Sequence, residues 1–332
     1  MPTAQNATGK DAKLHHTVPQ FYLRGFADSQ DRITTVHLPG DKSRTGKVRK
    51  TAATNRFYSI DGHPDGTDVF EKALNVLETD TAPILKEIAN GVWPLADLQR
   101  EKLSTFLAVQ HLRGHTTRRS MSYIAAQMVR LQVQFVGRER LQGWVQEKYG
   151  HDVTDGEAET LWQYVTQAEG PPVTVKPTLH IESIIDGAGK VIPFIIARPW
   201  TLVRFNRRSL ITCDSPVALI PDPDSGPSHG VGFMTAAAIT FPLTRGLGLI
   251  MGDVRPIIES KYPVSRVRAG ELDTEVSGTT ALANFINDST VQSASEYLYH
   301  HPADETTVPS HLPNPSLITI GGPESVDIQD LL

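Results

Sequence analysis

One cysteine in 332 residues is the first scarcity that matters. Cys213 has no second thiol to pair with, so an intramolecular disulfide is excluded and a reducing, cytoplasmic setting is expected. Long apolar runs are missing as well. The best of them, residues 191–203, is cut by Pro193, Arg198 and Pro199 and falls short of the roughly 18 to 20 apolar residues of a membrane span. Residues 1–13 carry no apolar core of the kind a secretory signal needs. No CxxC pair, HExxH or EF-hand pattern occurs, and no solenoid repeat or low-complexity tract. The nearest approach to a phosphate-cradling loop, Thr244-Arg245-Gly246-Leu247-Gly248, lacks the further glycine or lysine of a dinucleotide or Walker fingerprint. Several large enzyme classes are thereby removed.

What is present is an ordinary globular composition, 39% hydrophobic and 21% charged, sufficient to bury a core without a disulfide or structural metal. The net charge of −5 is unevenly spread. Residues 1–56 hold ten Lys/Arg against four Asp/Glu, and residues 98–150 hold nine against three; the segments 57–97 and 151–332 are acidic. Two basic segments that met in space would form a cationic face for a phosphate-bearing or other anionic ligand. Docked against the acidic segments, they would be neutralised within the fold instead.

The pattern along the chain predicts an α+β protein: a small N-terminal antiparallel sheet, a central helical bundle, and C-terminal antiparallel strands with closing helices. Strands are expected at 33–38 and 46–51 across a Pro39-Gly40-Asp41 turn, with a third at 56–60. Asp68 is a fitting N-cap for a helix ending near Gly91, which Pro83 kinks or breaks. A second helix follows Pro94 and stops near Gly114. A third spans about 117–149, with Ile124, Met128, Leu131 and Phe135 on its apolar side. Shorter helices are expected at 156–168 and 177–186. Residues 200–205 and 209–214 read as strand, turn, strand; 236–240 and 247–251 as another pair; 270–299 as a helical region interrupted near Asn287. The organisation expected is a disordered 1–13, one large domain over 14–301 with a sub-boundary near 190, and a proline-rich surface tail over 302–332.

Chemistry concentrates early, in Leu14-His15-His16-Thr17-Val18-Pro19-Gln20-Phe21-Tyr22-Leu23-Arg24-Gly25-Phe26. Imidazole titrates near neutrality and ligates metals. Pro19 biases Val18 to an extended conformation, which places the histidines at the end of an extended segment ahead of a short helix. Neighbouring strand residues point to opposite faces, so the two serve one metal only at a bend. Otherwise one packs and the other caps the helix. Asp214 stands where a strand gives way to Ser215-Pro216, either a site carboxylate or a turn starter. Cys213 shares the core-side strand face with Ile211. Glu71 and Glu78, seven apart on one helix, read as a solvated edge or as two separate cleft residues. Gln110 and Arg113 can jointly hold an anion, or pair with Glu71 or Glu78. His111 and His115 have helical ligand spacing, but Leu112 stands where a zincin has Glu and Gly114 weakens the turn.

The opening His-His-x-Val-Pro-x-Phe-Tyr-Leu-Arg-x-Phe resembles an uncharacterised family of bacterial proteins, a domain of unknown function. The likeness continues through Asn55-Arg56-Phe57-Tyr58, Glu71 and Glu78, Gln110-x-x-Arg113, Thr212-Cys213-Asp214-Ser215-Pro216-Val217, Phe241-Pro242-Leu243 and Leu282-x-Asn284, roughly residues 13–300. The resemblance brings no reaction with it, but implies that these polar residues converge. His-His-x-x-Pro is also similar to the opening of HNH-type nucleases, in which one His is a general base and its neighbour helps hold a metal. Asn55 is the one downstream candidate for that pattern.

Two functions are therefore expected. One is a metal-assisted, nuclease-like hydrolase of phosphate esters, with His15 or His16 activating water, His16 and Asp214 holding a divalent cation, and Gln110, Arg113, Tyr22 and Asn284 binding substrate. The other is a non-catalytic ligand-binding or sensor protein of a bacterial stress or conflict system. As solvent-facing ligands, His16 and Asp214 would contribute little to stability.

Overall fold

The computed structural model describes residues 14–226 and 230–315. The expected disordered 1–13 and the final part of the tail, 316–332, lie outside the described residues. In order come β1 (Leu14–His16), α1 (Gln20–Leu23), β2 (Arg32–His37), β3 (Lys42–Lys47) and β4 (Ala53–Asn55). The helical section follows: α2 (Val69–Ala89), α3 (Asp97–Leu112), α4 (His115–Val136), α5 (Leu141–Tyr149), α6 (Asp155–Thr166) and α7 (Pro177–Ile196). Then come β5 (Trp200–Arg204), β6 (Thr212–Cys213), β7 (Ala218–Ile220), β8 (Ala238–Thr244) and β9 (Leu247–Met251). The last elements are α8 (Arg255–Glu259), α9 (Val264–Arg268), β10 (Thr274–Ser277), α10 (Thr280–Ser293) and β11 (Tyr297–His300). The arrangement is α+β.

Three sheets organise it. β1 pairs antiparallel with β4, in the register His15 to Thr54 and His16 to Ala53. A four-stranded sheet runs β3-β2-β11-β6, and a five-stranded one β10-β5-β9-β8-β7, in which β10 and β5 are parallel. The principal core draws on the first helix (Tyr22, Leu23), α3 (Leu103, Phe106, Leu107), α7 (Ala188, Ile195) and the five-stranded sheet (Trp200, Phe241, Leu249). A separate cluster of Val133, Leu141, Val145 and Val165 holds the α4–α6 lobe together.

The β2–β3 hairpin forms as expected, although β3 starts earlier than anticipated and Val48–Lys50 is a 3₁₀ turn. Residues 56–60 do not form a strand. Arg56 takes φ 51°, which ends β4 and turns Phe57 and Tyr58 into the core. Helix α2 begins after Asp68, buries Phe70, Leu74, Ile84 and Ile88, and passes through Pro83 unbroken. The expected long third helix is two, separated at Gly137 with φ 78°. Its supposed inner side faces out: Ala126 and Val133 are the buried residues of α4. Helix α7 runs past residue 190 and Pro193 to Ile196. β5 and β6 are not a hairpin, because they pair in different sheets. The 270–299 region is one strand, one unbroken helix and another strand rather than an interrupted helix. Part of the expected tail is docked: Asp304 pairs with Arg245, and Val308 and Leu312 pack on the cluster around Val36, Ile211 and Leu298.

Candidate functional site

The family-like polar residues do gather, but most of them bind backbone. Arg113, the C-cap of α3, is fully buried. Its Nε donates to the Thr17 carbonyl at 2.9 Å, Nη2 to the His16 carbonyl at 3.0 Å, and Nη1 to Glu78 Oε1 at 2.9 Å. Gln110, one turn earlier, donates to the same Thr17 carbonyl at 3.0 Å. Pro19 keeps this segment extended, so its carbonyls have no helical partners and take side-chain donors from α3. The anion-holding pair expected at Gln110 and Arg113 is thus a clamp on the His-His segment, and the guanidinium is neutralised by Glu78.

His15 and His16 point apart, as strand geometry requires. His15 is buried, and its Nδ1 accepts the Tyr58 N–H at 2.9 Å while the two rings stack at 5.9 Å. Tyr58 donates its hydroxyl to the Arg113 carbonyl at 2.6 Å, so one tyrosine ties β1 to the end of α3. His16 is half-buried, with Nε2 3.2 Å from the Arg49 carbonyl. A carbonyl only accepts, so Nε2 carries the proton and Nδ1 is the basic nitrogen. Burial lowers the His16 pKa, against opposing contributions from the Arg49 carbonyl and Glu78. The ring is neutral at pH 7.

Beside it, Glu71 of α2 hydrogen-bonds the His16 backbone N–H. Burial pushes its pKa up to about 7, although Arg113 opposes the shift. Glu71 Oε2 and Gln110 Oε1 are buried acceptors with no hydrogen-bond partner among the described residues. Glu71 and Glu78 are therefore not a solvated edge. Both turn inward to the His16–Arg113 segment, and Glu71 is a candidate that sequence reasoning undervalued. Their shared helix face was the available signal.

Asp214 belongs elsewhere. Its Oδ1 accepts the Ser295 N–H at 2.8 Å, and its Oδ2 those of Glu296 and Tyr297 at 2.9 and 3.3 Å. Burial raises its pKa to about 6 despite these three donors. Its carboxylate and the His16 ring share no partner, and among the described residues no group of three His, Cys, Asp or Glu is disposed to hold a metal ion. The Asp214 oxygens that the expected pairing with His16 would use are engaged by three backbone amides. Tyr22 is buried too: its hydroxyl donates to the Pro242 carbonyl at 2.7 Å and meets Thr212 Oγ1 at 2.7 Å, out of a substrate's reach. Asn284 is exposed on α10, whereas Asn287, expected as a helix interruption, is buried, accepting from Ile211 N–H and donating to the Ser209 carbonyl. Cys213 packs with Ile211 in the core, as its strand position implies.

One further histidine, His180, escaped sequence reasoning, and His115 lies beside it. His180 of α7 and His115 of α4 flank Phe57, and burial lowers both to about 4. Arg118 lies 3.9 Å from the Phe57 ring centroid and donates to His180 Nδ1 at 3.2 Å. His111 instead approaches the Val217 carbonyl, so the break at Gly114 separates it from His115. The signal for His180 was its place on the buried stripe of α7 with Ile181 and Ile184.

The two basic segments part ways. In the second, Arg100, Arg113, Arg119 and Arg138 all pair with carboxylates of the chain. In the first, Arg44, Arg49, Lys50 and Arg56 are exposed, with no ion pair among the described residues. Arg49 and Lys50 sit beside the carbonyl that His16 contacts, and Arg56 follows the strand that pairs with β1. Arg49 and its neighbour Lys50 thus lie near His16 along the backbone, while Arg56 stands three positions beyond Ala53, the strand partner of His16.

Residues 14–304 match the family described as Protein of unknown function (DUF4238), and the chain belongs to it. No curated protein and no solved structure matches.

Proposed function

We propose that the chain is a nuclease-like hydrolase of phosphate esters, nucleic acid foremost, working by paired acid–base catalysis at His16 and Glu71 in the cytoplasm. The observation that carries the reading is a histidine whose pKa is lowered by burial and a carboxyl poised near neutrality on adjoining elements, with the exposed Arg49 and Lys50 next along the chain from the carbonyl that His16 meets. His16 Nδ1 takes the proton of the attacking hydroxyl or water, and Glu71 returns one to the leaving oxygen. Arg49, Lys50 and Arg56 attract the phosphate and offset the charge that develops on it. Arg113, Gln110 and Tyr58 position the histidine segment and touch no substrate. A metal held by His16 and Asp214 has no part in this reading, because the Asp214 oxygens are engaged by amides.

One observation favours the second reading, a ligand-binding or sensor protein: so many of the family-like polar groups serve the fold. A panel of single- and double-stranded DNA, RNA and simple phosphodiesters, with magnesium, manganese, zinc or chelator, separates the two. Hydrolysis reduced by about 100-fold or more in His16→Ala and Glu71→Gln, with melting temperatures within a few degrees of the parent, supports the enzyme. No turnover on any substrate, with an anion raising the melting temperature through Arg49 and Lys50, supports the sensor.

A further inference from the structure

Strand β3 leaves one edge of the four-stranded sheet open. It pairs with β2, and β2 lies between it and β11. The Val48 N–H donates to the Asp31 carbonyl at 3.1 Å. By the alternation of an antiparallel ladder, Gly46, Arg44 and Lys42 then turn their backbone groups toward β2. The N–H and C=O groups of Ser43 and Thr45 therefore point away from the sheet, and among the described residues no backbone partner meets them. Both residues are exposed. An open edge of this kind is a template for a further strand.

Charge and chain path together select what covers it. Residues 42–50 hold Lys42, Arg44, Lys47, Arg49 and Lys50 and no Asp or Glu. The carboxylate of the hairpin, Asp41, lies at the turn, 3.9 Å from Lys42 and 3.5 Å from His37. A second copy pairing edge to edge would set the cationic run against itself, whereas an acidic segment would be attracted. Such a segment follows directly from the described chain. Leu312 sits on the β2–β3 turn, where a Cβ on Gly40 would come within 3.3 Å of its Cδ1. Residues 313–315 follow, a reach of about 10 Å. Then come residues 316–332, outside the described residues, with Glu324, Asp327 and Asp330 and no Lys, Arg or His. This segment opens with Leu317-Ile318-Thr319-Ile320, three of them β-branched, and continues with Gly321-Gly322-Pro323, a strand signal and then a turn signal. From the β2–β3 turn, residues 316–320 in extended form would run beside β3 in its own direction for about 17 Å, nearly the length of β3. The Gly-Gly-Pro turn would fall near Lys47, and the three acids would follow next to Arg49 and Lys50.

We infer that the segment 316–330 docks on β3, with residues 317–320 adding a parallel fifth strand at the open edge and Glu324, Asp327 and Asp330 meeting Lys47, Arg49 and Lys50. The docking is independent of the chemistry proposed at His16 and Glu71.

Residue-resolved hydrogen exchange, on the full chain and on a chain ending at residue 315, tests it. In the full chain the Ser43 and Thr45 amides exchange about tenfold or more slowly than in the shortened one. The Arg44 and Gly46 amides, bonded to β2, are equally protected in both and report that the hairpin is intact. A synthetic peptide of residues 316–330 restores the protection to the shortened chain. Of Ile318→Pro and Thr319→Pro in the full chain, one removes a ladder donor whichever way the strand faces, and it releases both amides. The triple change Glu324→Gln, Asp327→Asn and Asp330→Asn weakens the protection, as does added salt on the parent. Equal exchange at Ser43 and Thr45 in the full and shortened chains overturns the inference. So does protection that survives the shortening and grows with protein concentration, since a second copy would then cover the edge. Protection that the triple change leaves intact overturns the assignment of the three acids.

Discussion

Arg113 shows how far one side chain can serve the carbonyls at the end of a short strand. Three of its N–H groups reach two consecutive carbonyls and a carboxylate, so Arg113→Met is expected to strand the His16 carbonyl and Glu78, while the Thr17 carbonyl keeps Gln110. The loss should be about 3–5 kcal/mol, measured as a shift in the urea midpoint, and Arg113→Lys should not restore it because an ammonium lacks the fork. Glu71 makes a prediction of opposite character. Its pKa rises from the ordinary 4.5 to about 7 on folding, so the stability linked to this group is complete below pH 4.5 and is lost as pH rises through about 7. Glu71→Gln removes that loss. The melting temperature of the variant, relative to the parent, should therefore climb between pH 4.5 and 7, as read by calorimetry across that range. A constant difference would mean that Glu71 titrates as a solvated carboxylate.

At the scale of elements, Asp214 joins β6 to the start of β11. Three consecutive backbone amides converge on its two oxygens, and without them the turn before β11 has no internal acceptor. Asp214→Ala is accordingly expected to destabilise by about 3 kcal/mol, read from denaturant unfolding, and not to behave as the stability-neutral change that a solvent-facing metal ligand would give. The elements themselves were unevenly legible. Helices α2 and α3 follow from the spacing of Phe70, Leu74, Ile84, Leu103 and Leu107, with stops at Gly91 and Gly114, because helical periodicity is local. The partners of β6 and β11 were not legible, since Cys213 and Leu298 meet across 85 positions and pairing at such distance leaves no short-range mark. The apolar row of α4 was found and then assigned inward. Periodicity identifies a stripe but not which surface covers it.

Across the whole molecule, the residues that resemble the family signature divide into two groups by what their polar atoms touch. His15, Gln110, Arg113, Tyr22 and Asp214 face backbone groups in the interior. A residue type and a spacing announce polar capacity, and the fold alone decides whether carbonyls and amides absorb it. That is why the spacing of Asp214 did not reveal its three amide partners, nor that of Glu71 its inward turn toward the His16 backbone. The same division holds for charge. In 98–150, Arg100, Lys102, Arg113, Arg119 and Arg138 meet carboxylates of the chain, and in 1–56, Arg44, Arg49, Lys50 and Arg56 are exposed without an ion pair among the described residues.

The division between fold-holding and reacting groups is tested most directly by the pH dependence of kcat/KM on the best phosphodiester of the panel. Activity should rise as His16 loses its proton, at a pH below the ordinary histidine value of 6.5, and fall as Glu71 loses its own near pH 7. Glu71→Gln should remove the falling limb together with most of the rate, while Arg113→Lys, to the extent that it folds, should keep both limbs in place. A profile that is level through neutral pH, or one that Glu71→Gln leaves unchanged, would contradict the assignment of chemistry to His16 and Glu71.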